Sequence, residues 1–311
     1  MTDVEAVLHR VAPDRSPESL ARPRQGNYKE TVVARYAEGR DLVVQLSDDP
    51  AATRVEAALL DAIDERTTVP VPTLVAHGRL AGRAYLVTER VDGEDLHERF
   101  VGLGPERRQD IARRFGEVLA ELHEAFPFET AGPVSVDERG ALDGGGQSVA
   151  AEFKAYAESA LTALPEAFDD LRPALAAAVD PPPASRPPRL FPWDLRPGNA
   201  LVADGRLVAV LDWGAPRATD PALSVAKTEH LVCRWYGTDT APLLSAFRAG
   251  YDAVRPLPEV PVAYRLVAVT ASAVDAQGVV TRPHYPERSG ADAAAIHRDW
   301  LTEWLDGDAI E

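Results

Sequence analysis

The stretch that decides the fold is Phe191-Pro-Trp-Asp194-Leu-Arg-Pro-Gly-Asn199-Ala-Leu-Val202, followed closely by Val208-Ala-Val-Leu-Asp212-Trp-Gly214. Between them, Ala203-Asp-Gly-Arg206 joins two short apolar runs. Asp-Gly between apolar residues is a strong signal for a tight two-residue turn, so the segment predicts a β-hairpin. A hairpin folds the chain back and brings Asp194, Asn199 and Asp212 together. One carboxylate and the amide supply hard oxygen donors suited to Mg²⁺, and the other carboxylate is left to orient a hydroxyl and accept its proton. Taken singly, each stretch reads more readily as turn chemistry, because Asp and Asn start turns and cap helices. Their order, with a strand-turn-strand pattern between them, favours the chemical reading.

That order matches the template for phosphoryl transfer: Asp-x-x-x-x-Asn on a catalytic loop, then an Asp-Phe-Gly segment that carries metal. Asp194 and Asn199 fill the first pattern, and Asp212-Trp-Gly214 fills the second.

At 311 residues with 45% apolar content, the chain has room for two packed lobes. The expected division is residues 1–91, small and strand-rich, and residues 92–311, mainly helical. No apolar run approaches membrane-spanning length and the N-terminus lacks a basic leader, so no membrane association and a cytoplasmic location are expected. A lone Cys233 excludes internal disulfides and Cys-based zinc sites. The net charge of -16 argues against a nucleic-acid partner, whose phosphates demand a basic footprint. Lysine occurs only at positions 29, 154 and 227, while arginine is abundant. A salt-rich cytoplasm or a high-GC coding bias would each produce that balance. The sequence leaves the oligomeric state open.

Along the chain, Val4, Val7, Leu8 and Val11 sit at helical spacing. Strands are expected at 28–36, 41–46, 69–75 and 84–88, with a helix near 51–63 that places Glu56 beside an apolar face. His77 reads as a turn residue. A long amphipathic helix carries Ile111, Phe115, Val118, Leu119 and Leu122. Residues 132–146, polar and glycine-rich, read as a surface loop, 153–164 return to helix, and the chain beyond Asp220 is mostly helical.

The small strand-rich lobe, the helical lobe and the two motifs together resemble the aminoglycoside phosphotransferase and choline kinase family. The resemblance runs from about Gly26 to Tyr251. It implies a two-lobed, kinase-like α+β fold and transfer of the γ-phosphoryl group of ATP, with Mg²⁺, to a hydroxyl of a small molecule. On this likeness Asp194 is the base, Asn199 and Asp212 hold metal, and Gln25-Gly26-Asn-Tyr28 looks like the nucleotide loop. Glu56 resembles the acidic residue behind that site, and Glu89 to Val91 the hinge that offers backbone groups to adenine. Leu119-Ala-Glu-Leu-His123 and Thr219-Asp220-Pro221 also resemble family segments.

Two positions depart from the family pattern. Pro192 stands where the family has a loop-bracing His. Gln45 stands where kinases place the phosphate-holding Lys, and an amide brings hydrogen bonds but no charge. Lys29 could reach the phosphates in its place, against the commoner fate of a lysine there as a solvated surface side chain. A degenerate kinase fold that binds nucleotide or metabolite without catalysis is therefore the rival reading. A metal-dependent hydrolase built on Asp194 and Asp212 is the weaker third.

Overall fold

The computed structural model describes residues 3–23, 29–180, 186–275 and 277–307. Its first elements are α1 (Asp3–Val11), β1 (Ser19–Ala21), β2 (Glu30–Arg35), β3 (Leu42–Ser47), α2 (Pro50–Arg66), β4 (Leu74–Leu80) and β5 (Arg83–Glu89). The strands make one antiparallel sheet in the order β1-β2-β3-β5-β4. Alternation of side chains along each strand gives the sheet two faces. One face, with Val32, Ala34, Leu42, Val44, Leu46 and Val87, packs under Val4, Val7 and Leu8 of α1. On the other, Leu86 joins Val55, Leu59 and Ile63 of α2. Gln45 lies opposite Thr31 and Leu86 in register, which puts it on the α2 face. Helix α2 starts where Asp49 accepts hydrogen bonds from the Ala51 and Ala52 N–H groups, with Pro50 as first residue.

The strand expected over 69–75 begins only at Leu74. Pro70 and Pro72 have no N–H to give a ladder, and the Pro70 carbonyl accepts from the Val210 N–H instead, at 2.8 Å. His77 lies within β4, opposite Leu86, rather than in a turn.

The remaining elements are β6 (Glu94–Asp95), α3 (Leu96–Phe100), α4 (Pro105–Ala125), β7 (Gly132–Pro133), β8 (Ser135–Val136), β9 (Leu142–Asp143), α5 (Val149–Ala163) and α6 (Arg172–Ala178). They continue as β10 (Arg189–Phe191), β11 (Ala200–Ala203), β12 (Arg206–Val210), β13 (Arg217–Thr219), α7 (Pro221–Glu229), α8 (Thr240–Asp252), α9 (Val262–Thr270) and α10 (Gly290–Asp306). Short sheets order as β10-β13-β7, β12-β11-β6 and β8-β9. Residues 132–146 are therefore not a plain surface loop. Gly132 and Gly145 let two backbones meet, since a Cβ on Gly132 would lie 2.8 Å from the Gly145 Cα. Backbone pairing needs no apolar side chains, which is why polarity misread this segment.

Helices α4 and α8 form the spine of the helical lobe. A Cβ on Gly116 would overlap the Phe247 carbonyl oxygen, and one on Gly250 would overlap the Arg113 carbonyl oxygen. The two helices thus touch backbone to backbone, and the buried His123 Nδ1 joins the Tyr251 hydroxyl at 2.7 Å. Phe115, Val118, Leu119, Leu122 and Phe247 fill the surrounding core, which runs on into α2. Cys233 is buried, and burial pushes its thiol well up, as suits a core residue rather than a nucleophile.

Candidate active site

The hairpin forms as its turn chemistry demands. Asp204 and Gly205 take φ of 51° and 73°, the left-handed pair of a tight turn, and β11 pairs with β12. The Leu211 N–H donates to the Asn199 carbonyl at 2.7 Å, closing the hairpin base beside Asp212. Asp194 leaves β10 through a sharp turn: Trp193 has φ 43°, and the Asp194 N–H donates to the Pro192 carbonyl. The Asn199 Nδ2 donates to the Asp194 carbonyl at 3.0 Å and to its Oδ2 at 2.9 Å. Arg196 Nε reaches the same Oδ2 at 2.9 Å. Both side-chain bonds converge on Oδ2, so Oδ1 is the oxygen left for an incoming proton. The Asn199 amide, having used its NH₂ on Asp194, keeps its oxygen for another ligand.

Pro192 does not leave this loop unbraced. The Trp193 turn and the two Asn199 bonds hold it, and Asp220 accepts from the Ala222 N–H at 2.8 Å as the cap of α7.

Above the loop, Glu56 is 4% exposed and forms an ion pair with Lys29. Burial pushes the Glu56 carboxyl up, opposed by the Lys29 ammonium and by a hydrogen bond from the Trp213 N–H. A Cβ on Gly214 would lie 3.3 Å from Asp212 Oδ1 and 3.9 Å from Lys29 Nζ, so both groups flank this glycine. Lys29 is accordingly not a solvated surface side chain. The acidic partner expected for a lysine at position 45 has found one at position 29, where β2 begins. Trp213 is buried and donates its indole N–H to the Val210 carbonyl at 3.0 Å, packing the metal segment rather than facing the cleft.

At the hinge, the Glu89 N–H is engaged by the Thr73 carbonyl at 2.9 Å and the Arg90 N–H by Asp41 at 2.8 Å. The Glu89 side chain pairs with Arg40. The groups available to a base edge are then the Glu89 carbonyl and the Val91 N–H. Gly26 and the rest of its loop lie outside the described residues.

Four residues are not singled out by the sequence, although Tyr156 and Lys227 lie in the spans, 153–160 and the helices after Asp220, expected to face the acceptor. Arg196, two residues past Asp194, shares its carboxylate. Lys227 of α7 is 4% exposed, with Nζ 3.3 Å from the Tyr156 hydroxyl and 4.2 Å from the Trp193 ring centre. Glu152 of α5 is buried and paired with Arg217. Tyr156 is buried, and burial pushes its hydroxyl up. Arg196 had a signal in its spacing from Asp194, and Lys227 in its rarity.

Among the described residues no group of three or more His, Cys, Asp or Glu side chains could hold a metal. A phosphoryl-transfer centre needs none, because Mg²⁺ takes much of its oxygen shell from phosphates and water. One carboxylate, Asp212, and one free amide oxygen, Asn199, fit that donor set.

A thermostable mutant of aminoglycoside phosphotransferase APH(4)-Ia, solved in ternary complex with AMP-PNP and hygromycin B, matches with TM-score 0.65 and 16% identity over 100% of both chains. APH(4)-Ia itself gives TM-score 0.67 at 16% identity over 99% of each chain. A provisionally assigned fructosamine-3-kinase from Thermobifida fusca gives 0.59 at 21% identity over 98% of each. At these identities the likeness is one of fold, and the fold is kinase-like α+β. A subtelomeric hrmA-associated cluster protein of Aspergillus fumigatus is 25% identical over 122 residues, 36% of this chain and 24% of that protein, so the match spans about a quarter of the relative. The sequence profile of the phosphotransferase enzyme family, APH, matches residues 20–259, a span that holds the sheet, the Lys29–Glu56 pair and the Asp194–Asp212 hairpin, and the chain belongs to that family.

Proposed function

We propose that the protein transfers the γ-phosphoryl group of ATP to a hydroxyl of a small molecule, with residues 1–91 as nucleotide lobe and 92–311 as catalytic lobe. The observation that carries this reading is the Lys29–Glu56 ion pair beside Asp212. It supplies the charged phosphate contact that Gln45 cannot, and so removes the main reason to read the fold as degenerate.

Asp194 orients the acceptor hydroxyl and takes its proton at Oδ1 while Arg196 and Asn199 hold Oδ2. Lys29 meets the phosphates, held in place by Glu56. Asn199 and Asp212 would hold Mg²⁺, which when bound neutralises charge on the β- and γ-phosphates. The Glu89 carbonyl and Val91 N–H take the adenine edge, the Gly26 loop covers the phosphates, and Gln45 adds a neutral hydrogen bond from the same sheet face. The ternary complex of the APH(4)-Ia mutant with AMP-PNP and hygromycin B accords with a site for two substrates.

The test is Asp194→Asn. Turnover of ATP with an alcohol acceptor should fall by about 10²–10⁴-fold, while melting temperature and ATP affinity stay near wild type. Retention of most of the turnover would remove Asp194 from the role of base.

A further inference from the structure

Beneath the catalytic aspartate lies a cage of aromatic rings, and its occupant is the protein's own ammonium. Lys227 Nζ sits 4.2 Å from the Trp193 ring centre, 5.8 Å from that of Phe191 and 5.9 Å from that of Tyr156. Three such rings would ordinarily welcome a cationic ligand through their negative faces. Here the place is taken.

Among the described residues no carboxylate lies within ion-pair distance of Lys227 Nζ, and Asp194, whose charge acts on it, is shared with Arg196. Other carboxylates of this lobe are matched with arginine: Glu152 with Arg217, and Glu229 with Arg248 and Arg265. Lys227 has the Tyr156 hydroxyl at 3.3 Å and ring faces. It is 4% exposed, and a buried ammonium without a counter-charge is expensive to keep. Burial lowers its pKa to about 8, opposed by Asp194 and reinforced by Arg196, so it stays largely charged at neutral pH. One turn before Tyr156 on α5, Glu152 Oε2 is buried with no hydrogen-bond partner among the described residues. An under-used donor and an under-used acceptor thus lie buried in this lobe, the donor near enough for the half-exposed Asp194 to act on its charge.

We propose that Lys227 makes the acceptor site selective for a hydroxyl compound that also carries an anionic group, and turns it against amino alcohols and polycationic sugars. The inference rests on the phosphotransferase reading above and names its substrate class. The unmatched positive charge acts on whatever lies against Asp194 through a shell of rings with low dielectric response, where it is weakly screened. An anionic acceptor against Asp194 completes the charge balance. An ammonium brought to the same place meets a like charge and a filled cage.

The experiment follows ADP formation by wild type, Lys227→Met and Lys227→Arg on matched acceptors: gluconate, glucitol and glucamine, then glycerate, glycerol and 3-amino-1,2-propanediol. Wild type should prefer the carboxylate member of each set over the amine by at least about tenfold in kcat/KM. Lys227→Met should erase that preference and Lys227→Arg keep it, with the KM for ATP unchanged in both. Preference for the amines, or a Lys227→Met loss equal on all members of a set, would overturn the proposal; the second result would make Lys227 a brace of the Trp193 turn. A melting curve confirms that each variant folds. Absence of ADP with every member, and with a wider alcohol panel, is a different failure: it overturns the phosphotransferase reading and takes this inference with it.

Discussion

The two lobes treat a cleft lysine in opposite ways. In the sheet lobe, Lys29 meets a buried carboxylate, Glu56, and the pair is complete within the chain. In the helical lobe, Lys227 is more deeply buried and, among the described residues, has a hydroxyl and ring faces but no carboxylate at ion-pair distance. The difference teaches where each charge finds its complement. In the first case the contact with Glu56 is made from position 29 and not from position 45 of β3. A buried lysine without a carboxylate at ion-pair distance is a standing destabilisation.

The strongest way to break this comparison is Lys29→Ala. Loss of a charge-assisted contact should weaken ATP binding by about 1.5–3 kcal/mol, or about one to two decades in Kd, by calorimetry in Mg²⁺. Adding Gln45→Lys to that variant should recover part of the loss, since Gln45 lies on the α2 face of the neighbouring strand. Unchanged affinity in Lys29→Ala would leave the pair a purely structural device and dissolve the contrast.

Next in size is the stability of Lys227→Met. The folded pKa of about 8 lies below the 10.5 of a lysine in water. Below pH 8 both states hold the proton and the burial penalty is fully present. Between about pH 8 and 10.5 the unfolded chain binds more protons than the folded one, so stability rises with pH and the penalty fades. Lys227→Met should therefore be more stable than wild type at neutral pH by about 1–3 kcal/mol. The gap should shrink as pH climbs toward 10.5 in denaturant titrations. A destabilised variant with a pH-independent gap would show that the ring contacts outweigh the buried charge.

Gln45→Ala sharpens the comparison with the smallest effect. It should weaken ATP binding by about 0.5–1.5 kcal/mol, the range for a neutral hydrogen bond. A loss matching that of Lys29→Ala would return the principal phosphate contact to β3.

What could be read from the sequence was mostly what depends on near neighbours. Asp194, Asn199 and Asp212 lie within one hairpin whose turn residues, Asp204 and Gly205, declare it, and the helices around Leu119 and Phe153 follow from periodicity. The Lys29–Glu56 contact links residues 27 apart and depends on where β2 starts and where α2 points, neither of which position 29 announces. The apolar run at 69–75 becomes strand only from Leu74, because Pro70 and Pro72 have no N–H to give a ladder. The cage does not show in the sequence because Tyr156 of α5 and Lys227 of α7 reach Phe191 and Trp193 from distant parts of the chain. Each ring had an adequate explanation as core until the folded chain set them around one ammonium.

The meeting of α4 and α8 through Gly116 and Gly250 has a bearing on anyone who would make this protein hardier. Replacing helix glycines by alanine is among the safer edits, gaining about 0.5–1 kcal/mol from reduced chain freedom. At these two places the added methyl would collide with a carbonyl oxygen of the facing helix. The sign of a routine improvement reverses, and one carbon atom becomes a wedge in the beam that carries the catalytic floor.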